Sequence, residues 1–169
     1  MPVSKIPSEF VKQLVDLNWR EIKFGLDHQL IDSAAAIDRA TESLCRNEPA
    51  AKAEVELAGL SHDEPVSELV DQLAQKEPEV GEEALREKWV YVVLAWLFEN
   101  RSSFGSPLEL VEEIYADFGY PREVAPFVRY MPMAGPDLGN REKNEARLYD
   151  YWRDYLDRAR VHLGRATSA

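Results

Sequence analysis

The sequence predicts an all-α protein, and three observations support this fold class. Apolar residues recur every three or four positions along most of the chain, which is the spacing of an amphipathic helix. Capping residues, prolines and glycines mark the ends of these stretches. No segment shows the apolar-polar alternation of a strand, and no internal repeat is present. We therefore expect one all-α domain over residues 1–163, a bundle of about seven to nine helices around a central buried helix at residues 82–100, followed by a flexible tail at residues 164–169.

The first two predicted helices lie between residues 6 and 25. An apolar face over residues 6–17 indicates the first helix. Asn18 can cap the second helix, because Glu21 follows three residues later as in a capping box. Gly25 is expected to end it, since a left-handed residue costs glycine little free energy.

The third and fourth helices follow the same punctuation. Asp32 caps the third, which is expected to end near Asn47, before a proline. Its buried face is predicted to hold Ala34, Ile37, Thr41 and Leu44. The single cysteine, Cys45, lies on this helix and is expected to be a small core residue. Residues 51–58 form the fourth helix, which Gly59 closes.

The fifth helix is amphipathic, whereas the sixth is apolar all round. The fifth begins within residues 61–65, and its apolar positions follow an i, i+3, i+4, i+7 pattern. These positions are Val66, Leu69, Val70 and Leu73. The sixth spans Glu82 to Asn100, and the ten residues at 89–98 are all apolar. A helix that is apolar on every side is typical of a buried position in a bundle.

A strong helix start at Ser106 opens the seventh helix. Ser106 is a cap, Pro107 occupies the first turn, and Glu109 stands at the third position. This helix is expected to run to about Phe118, where residues 119–121 stop it.

The last helix is the longest. Residues 123–130 predict one or two turns, and residues 131–140 predict a loop, because this stretch contains two prolines and two glycines. The final helix then spans residues 140–163. Its buried stripe is expected to contain Leu148, Tyr151, Trp152, Tyr155, Leu156 and Ala159.

The single cysteine and the pattern of apolar residues predict a cytoplasmic protein. The first ten residues lack the apolar core of a signal peptide. The longest apolar run, residues 89–98, is about half of the roughly 20 residues that a membrane span needs.

One cysteine excludes a disulfide scaffold. A net charge of −11 argues against nucleic acid as a partner, since phosphate binding needs a basic surface.

The sequence shows no catalytic or metal-binding signature. His28, His62 and His162 have no second ligand at metal-binding spacing, so neither a metal nor a cofactor is expected. No glycine-rich phosphate loop or nucleophile elbow is present. Glu109, Glu112, Glu113 and Asp117 fit a solvated helix face better than an acid/base pair, with Arg122 or Arg129 compensating Asp117. The protein is therefore expected not to be an enzyme.

Negative charge is concentrated in one segment. Residues 48–83 carry eleven carboxylates and two lysines. Glu64, Glu68 and Asp71 fall at i, i+4 and i+7 of the predicted fifth helix, opposite its apolar stripe, and would form a carboxylate ridge. One interpretation is a surface that keeps the protein in solution. The other is a docking face for a basic partner, because complementary charge accelerates association.

The second unusual stretch is residues 115–132, which is dense in aromatic residues, prolines and two arginines. Aromatic and arginine side chains are common interface anchors, so Tyr120, Arg129 and Tyr130 are candidates for partner binding. The favoured interpretation is simpler. Here the stretch packs its aromatic side chains onto the sixth helix, because an irregular segment must bury something to stay ordered.

Four segments of the sequence resemble an uncharacterised bacterial family. They are residues 15–26, 87–101, 106–121 and 127–132, and Ile-Tyr-Ala-Asp-Phe and Arg-Tyr-Met-Pro are their most specific parts. Over most of residues 10–160 the chain is similar to the family called domain of unknown function 2247. No catalytic residues are attached to that family, so the resemblance implies none here. Small acidic families of this kind are often immunity partners of bacterial polymorphic toxins, and by analogy with them, not from the motifs, the same role is a hypothesis for this chain.

Three functional hypotheses follow. The first is a non-enzymatic protein that binds a basic protein, such as a nuclease-like toxin domain, with Glu64, Glu68 and Asp71 steering the encounter. The second is a small-ligand or enzymatic pocket between helices 82–100 and 107–118, with Asp117, Arg129 and Tyr130 as its polar groups. The third is a homo-oligomeric structural module. The oligomeric state stays open at this level.

Overall fold

All regular structure that the computed structural model describes, in residues 2–46 and 49–165, is helical. The α-helices are α1 (Ser8–Leu14), α2 (Trp19–Asp27), α3 (Ser33–Cys45), α4 (Lys52–Ala58), α5 (Ser67–Gln75), α6 (Glu82–Glu99), α7 (Pro107–Asp117) and α8 (Arg141–Leu163). Two 3₁₀ turns, Arg101–Ser103 and Ala125–Phe127, precede and follow α7. These eight helices confirm the predicted all-α class.

The chain divides into two compact units. The N-terminal unit contains residues 4–85 together with Arg165, and the C-terminal unit contains residues 2–3 and 86–164. In the N-terminal unit α3 packs against α4, and α5 packs against both α2 and α4. In the C-terminal unit the turn Ala125–Phe127 packs against α8.

The start of α2 is fully hydrogen-bonded. The predicted capping box is present, with the Glu21 N–H donating to Asn18 Oδ1 and the Asn18 N–H donating to Glu21 Oε1. The N–H groups of Trp19 and Arg20 donate to Glu77 Oε2 at 2.9 and 3.3 Å. In return, the Arg20 guanidinium donates two hydrogen bonds to the Glu77 carbonyl. Because Glu77 follows α5, this reciprocal contact joins the start of α2 to the end of α5.

α2 does not end at Gly25, as the sequence predicted, but two residues later. Gly25 is buried within the helix, and its carbonyl accepts from the Leu30 N–H at 2.8 Å, while Gln29 N–H donates to Leu26. These two bonds form a Schellman motif. The left-handed position belongs to Gln29, with φ 58°, because the helix turns where the apolar Leu30 becomes fully buried.

Of the four core positions predicted on α3, Ile37 is buried, Ala34 and Leu44 are half-buried, and Thr41 is exposed. The buried residues are Ala35, Ala36, Ile37, Ala40 and Ser43. Cys45 is exposed, so its predicted core position is wrong. At about 100° per residue, Cys45 lies half a turn from Ala36. Thr41 is also exposed, and its hydroxyl donates to the Ile37 carbonyl instead of packing in the core.

α6 is buried over its second half, as its composition predicted. Residues 89–94 and Leu97 are buried, whereas the first turns, from Glu82 to Glu87, are mostly exposed. The following helix, α7, starts at Pro107 as expected. However, the Ser106 side chain makes no capping hydrogen bond.

Trp152 is the centre of an aromatic cluster in the C-terminal unit. It is fully buried, and Phe127 and Tyr149 stack on it at centroid distances of 6.0 and 5.8 Å. Phe98 meets its edge at 5.1 Å. Phe127 therefore packs against α8, whereas the sequence predicted packing onto the sixth helix. The predicted stripe of α8 is confirmed at its buried members Trp152, Tyr155 and Ala159.

Arg165, which the sequence assigned to the tail, is held against α1. Its N–H donates to the Leu14 carbonyl at 2.7 Å, and its guanidinium Nη1 donates to the Lys12 carbonyl at 2.8 Å. These bonds satisfy carbonyls that α1 leaves free at its end. The rest of the predicted tail, residues 166–169, and the predicted helix end at Asn47 lie outside the described residues.

The Glu77 contact gives a first test of the fold. Glu77→Ala removes the acceptor of two N–H groups at the start of α2, so we expect a loss of about 1–2 kcal/mol in the free energy of unfolding. Urea denaturation followed by circular dichroism measures this change. Glu79→Ala is the control, because Glu79 is exposed and has no hydrogen-bond or ion-pair partner among the described residues. Equal effects of the two substitutions would contradict the role of Glu77.

Candidate functional site

Carboxylates dominate the acidic segment, residues 49–83. This segment is the described part of the predicted acidic stretch, since Glu48 lies outside the described residues. It contains ten carboxylates and two lysines. The carboxylates are those of Glu54, Glu56, Asp63, Glu64, Glu68, Asp71, Glu77, Glu79, Glu82 and Glu83.

The predicted carboxylate ridge is wrong at Glu64. α5 begins at Ser67, so Glu64 lies in the preceding loop, where its Oε2 accepts from the Ser61 N–H at 2.6 Å. The physical reason is Pro65, because the residue before a proline is disfavoured in the helical conformation. Glu64 is exposed, but it does not share a helix with Glu68 and Asp71.

The other two ridge residues differ from each other. Asp71 forms an ion pair of 2.7 Å with Lys23 of α2, which also contacts Asp27 at 3.1 Å. The hydrogen bond that Lys23 donates to Asp71, together with its contact to Asp27, raises the pKa of Lys23 above its ordinary value. Glu68 is exposed and has no such partner in the described ranges. Asp71 therefore holds α5 to α2, whereas Glu68 faces solvent with its charge uncompensated.

Six carboxylates of the acidic segment make no ion pair within the described residues and accept no described hydrogen bond. These are Glu54, Glu56, Asp63, Glu68, Glu79 and Glu83. Most of them are exposed. Charges of one sign that remain unpaired act over about 8–10 Å at physiological ionic strength. The segment is therefore a source of negative potential.

Three tyrosines form a second surface feature, in the C-terminal unit. The buried Tyr115 ring lies 5.3 Å from the ring of Tyr120 and 6.2 Å from that of Tyr130. Tyr120 is 61 % exposed and Tyr130 is 58 % exposed. Tyr120 also has a positive φ of 61°, a conformation that strains a bulky side chain. The predicted anchors Tyr120 and Tyr130 thus stand on one aromatic base.

Arg129, the third predicted anchor, is paired within the chain. Its Nε donates to Glu112 Oε1 at 2.7 Å and its Nη2 to Glu112 Oε2 at 3.2 Å, a bidentate arrangement. Glu109 lies 3.7 Å from the same guanidinium. The hydrogen bond to Glu112, opposed by desolvation, raises the pKa of Arg129. Arg129 therefore compensates Glu112 and Glu109 of α7. The sequence had offered it, as an alternative to Arg122, as the partner of Asp117.

A groove of about 670 Å³ opens beside Arg129 and Tyr130. It is lined by Glu112 of α7, by residues 126 and 128–134, by Asp137, Gly139 and Asn140 of the following loop, and by side chains of α8 as far as Tyr151. The sequence had predicted a pocket between helices 82–100 and 107–118, with Asp117, Arg129 and Tyr130 as its polar groups. The observed groove instead lies along α8, and Asp117 is not part of its lining.

The loop before α8 is fixed by Asp137. The Asn144 amide and the Gly139 N–H both donate to Asp137 Oδ1, at 2.9 and 2.8 Å. These hydrogen bonds, led by the one from Asn144, lower the pKa of the Asp137 carboxyl. Asn140 caps α8 by accepting from the N–H groups of Glu142 and Lys143.

Arg147 and Met133 were not among the predicted site residues. Both line the groove, with Tyr151. The sequence contained one signal for Arg147. Arg147 and Tyr151 are four residues apart on a predicted helix, so their side chains are neighbours. The approach of Met133 depends on the path of the 131–140 loop, which a pattern of prolines and glycines does not determine.

The histidines have local roles. The His28 ring stacks on Phe24 and its Nδ1 contacts the Phe24 carbonyl, while His162 lies in the last turn of α8. In residues 2–46 and 49–165, no group of three or more His, Cys, Asp or Glu side chains could hold a metal ion. No helix in the same ranges is both long and apolar enough to cross a membrane.

The fold and these surfaces define an all-α protein with a carboxylate-rich segment in one compact unit and an aromatic groove in the other. The chain belongs to the family described as "Uncharacterized protein conserved in bacteria (DUF2247)", whose model matches residues 8–160. This match confirms the resemblance found in the sequence. No curated protein and no solved structure matches the chain.

The Arg129 pair gives a second test. Glu112→Gln replaces a bidentate charged partner of a part-buried guanidinium with a neutral one, so we expect a loss of about 1–2 kcal/mol in the free energy of unfolding. Glu109→Gln, at 3.7 Å and more exposed, should change it by less than about 0.5 kcal/mol. Urea unfolding of both variants measures the difference. A larger loss for Glu109→Gln would refute the assignment of Glu112 as the main partner.

The Asp137 carboxyl gives a third test, by pH titration. Because its folded pKa is lowered from 3.8, its hydrogen bonds stabilise the loop above that pH and are lost as the pH falls through the lower, folded pKa. Carboxyl ¹³C NMR should place the Asp137 midpoint below 3.8, and Asn144→Ala should move it upward. A midpoint that Asn144→Ala leaves unchanged would show that the amide is not the cause.

Proposed function

We propose that this protein is a non-enzymatic, cytoplasmic bacterial protein that binds a basic protein partner through the acidic segment. The observation that carries the proposal is the set of six carboxylates in the segment that have no ion-pair partner within the described residues. A surface that serves only solubility needs net charge, but it does not need that charge concentrated in one segment.

The proposed partner is a basic protein of the nuclease type, such as a toxin domain. A nuclease carries a basic surface because it binds phosphate groups. Carboxylates presented on a rigid helical unit can occupy the same surface and exclude nucleic acid from it. The mechanism is occlusion, with the acidic segment first accelerating the encounter by long-range attraction. In this proposal the protein has the role of an immunity protein.

The carboxylates suited to steering differ from the ridge predicted from sequence. Glu68 keeps its proposed role because it is exposed and unpaired, but Asp71 is occupied by Lys23 and Glu64 by the Ser61 N–H. Glu56 and Asp63 are exposed and have no described partner. We therefore assign the steering role to Glu56, Asp63 and Glu68.

Tyr120 and Tyr130 are the proposed anchors for the close contact. Exposed tyrosines on a rigid base lose little conformational entropy on binding and bury a large area. The base here is the buried Tyr115 ring. Arg129 supports this surface through its pair with Glu112 and is a weaker anchor candidate, because a partner would have to compete for its guanidinium.

The proposal predicts an effect on association kinetics. The variant Glu56→Gln/Asp63→Asn/Glu68→Gln removes three unpaired charges without breaking a described ion pair. We expect its association rate constant to fall about threefold to tenfold at low ionic strength, and its salt dependence to flatten. Biolayer interferometry against the basic protein encoded by the adjacent reading frame, inactivated if it is a nuclease, measures both.

A matched control separates position from total charge. Glu113→Gln/Asp154→Asn/Asp157→Asn removes the same number of exposed charges from the C-terminal unit. The proposal requires this control to associate faster than the acidic-segment variant. Equal rates would assign the effect to net charge, and a neighbouring protein that does not bind at all would count against the immunity role.

A further inference from the structure

The groove in the C-terminal unit has the size and lining of a small-molecule site. Its volume of about 670 Å³ falls within the range of about 300–1,000 Å³ that is usual for ligand pockets. One wall is α8, and the other is the irregular chain of residues 126–140. Apolar side chains contribute much of the lining, chiefly those of Tyr130, Met131, Met133, Leu148 and Tyr151.

The lining contains three arginines and three carboxylates, so its charges sum to zero. All but one of these groups have an ion-pair partner or two hydrogen bonds from N–H groups within the lining. Arg129 is held by Glu112 in a bidentate pair. Arg141 pairs with Glu145 at 3.2 Å. Asp137 accepts from Asn144 and Gly139. The exception is Arg147.

Arg147 makes no ion pair within the described residues, although its charge helps to lower the pKa of the Asp137 carboxyl. Its Nη1 donates to the Pro136 carbonyl at 2.5 Å, and its Nη2 has only the thioether sulfur of Met133, at 3.8 Å. Its Nε is buried and has no hydrogen-bond partner among the described residues. No carboxylate oxygen lies within ion-pair distance of it in the described ranges. Because Nε is buried, a ligand in the groove would meet the guanidinium at Nη2, whose described acceptor is the weakly accepting thioether.

The surroundings of Arg147 are built closely around it. The Tyr151 ring centroid lies 6.0 Å from its guanidinium carbon. A Cβ on Gly135 would lie 3.0 Å from Nη1 and 3.2 Å from the Tyr151 hydroxyl. A side chain at this position would require the ends of Arg147 and Tyr151 to move by a few tenths of an ångström. The loop therefore approaches Arg147 through its bare backbone.

We propose that this groove binds a small aromatic carboxylate, with the carboxylate on Arg147 and the ring between Tyr130, Tyr151 and the methionines. The planar guanidinium matches a carboxylate, and the aromatic and thioether side chains match a flat apolar body. A monoanion is favoured over a phosphate dianion, because Glu112, Asp137 and Glu145 lie in the same lining. This site goes beyond the proposed protein-binding role and uses none of the acidic segment.

The test uses the full-length protein and three defined probes, benzoate, 3-phenylpropionate and indole-3-acetate, each paired with its neutral amide. Isothermal titration calorimetry and ligand-observed NMR measure binding. We expect at least one carboxylate to bind with a dissociation constant on the order of 1 mM or tighter, and its amide to bind at least about tenfold more weakly. Phenyl phosphate should bind more weakly than the best carboxylate. The proposal would be overturned if none of the three carboxylates binds at about ten times this dissociation constant. It would also be overturned if the acid and its amide bind equally well.

Variants on α8 locate the site. Arg147→Met keeps a long apolar side chain and removes the guanidinium, and it should weaken carboxylate binding at least about tenfold while leaving amide binding within about twofold. Arg153→Met is the control, since Arg153 lies on the same helix outside the groove and pairs with Asp150; it should leave both unchanged.

A measurement on the unmodified protein keeps the test independent of variant stability. Intermolecular nuclear Overhauser effects should connect the bound ring to the Met133 methyl and the Tyr151 ring. Their absence, with contacts to residues outside the groove instead, would place binding elsewhere and refute the assignment. A tighter complex with phenyl phosphate than with every carboxylate would refute the choice of a monoanion.

Discussion

The acidic segment is held in place by two basic residues of α2, and the N-terminal unit depends on this attachment. Arg20 and the first N–H groups of α2 exchange hydrogen bonds with Glu77, and Lys23 pairs with Asp71. A segment with ten carboxylates and two lysines repels itself. The two contacts offset part of that repulsion, and they complete helix ends that would otherwise lack hydrogen-bond partners.

This attachment divides the carboxylates into two groups. Asp71 and Glu77 are structural, because each has a partner on α2, and Glu64 orders a loop. The six carboxylates that make no described ion pair or hydrogen bond contribute negative electrostatic potential and have no described structural role. The proposed binding role rests on this second group. The sequence pattern could not separate the groups, because helical spacing reports which residues share a face and not which of them meet a lysine from another helix.

The C-terminal unit shows the same division for aromatic and arginine side chains. Phe127, Trp152 and Tyr115 are buried and support the fold, whereas Tyr120 and Tyr130 stay exposed on the Tyr115 ring. Arg129 is neutralised by Glu112, but Arg147 makes no ion pair within the described residues. Composition had marked residues 115–132 as unusual and had proposed Tyr120, Arg129 and Tyr130. It had not pointed to Arg147, because the groove exists only where the 131–140 loop folds back along α8.

The sequence by itself determined the all-α class, the approximate extent of most helices, the caps at Asn18 and Asp32, and the family. These features depend on short-range hydrogen bonds and on local periodicity, which are written within a few residues of each other. Only the tertiary structure decided which face of α3 is buried, where α5 begins, and which charges are paired. Those outcomes depend on contacts between residues far apart in the chain, such as Arg20 with Glu77, and on the path of loops. Local patterns carry no information about such distances. The sequence could therefore nominate Glu68, Tyr120 and Tyr130, but the pairing of Asp71 and the groove at Arg147 required the folded chain.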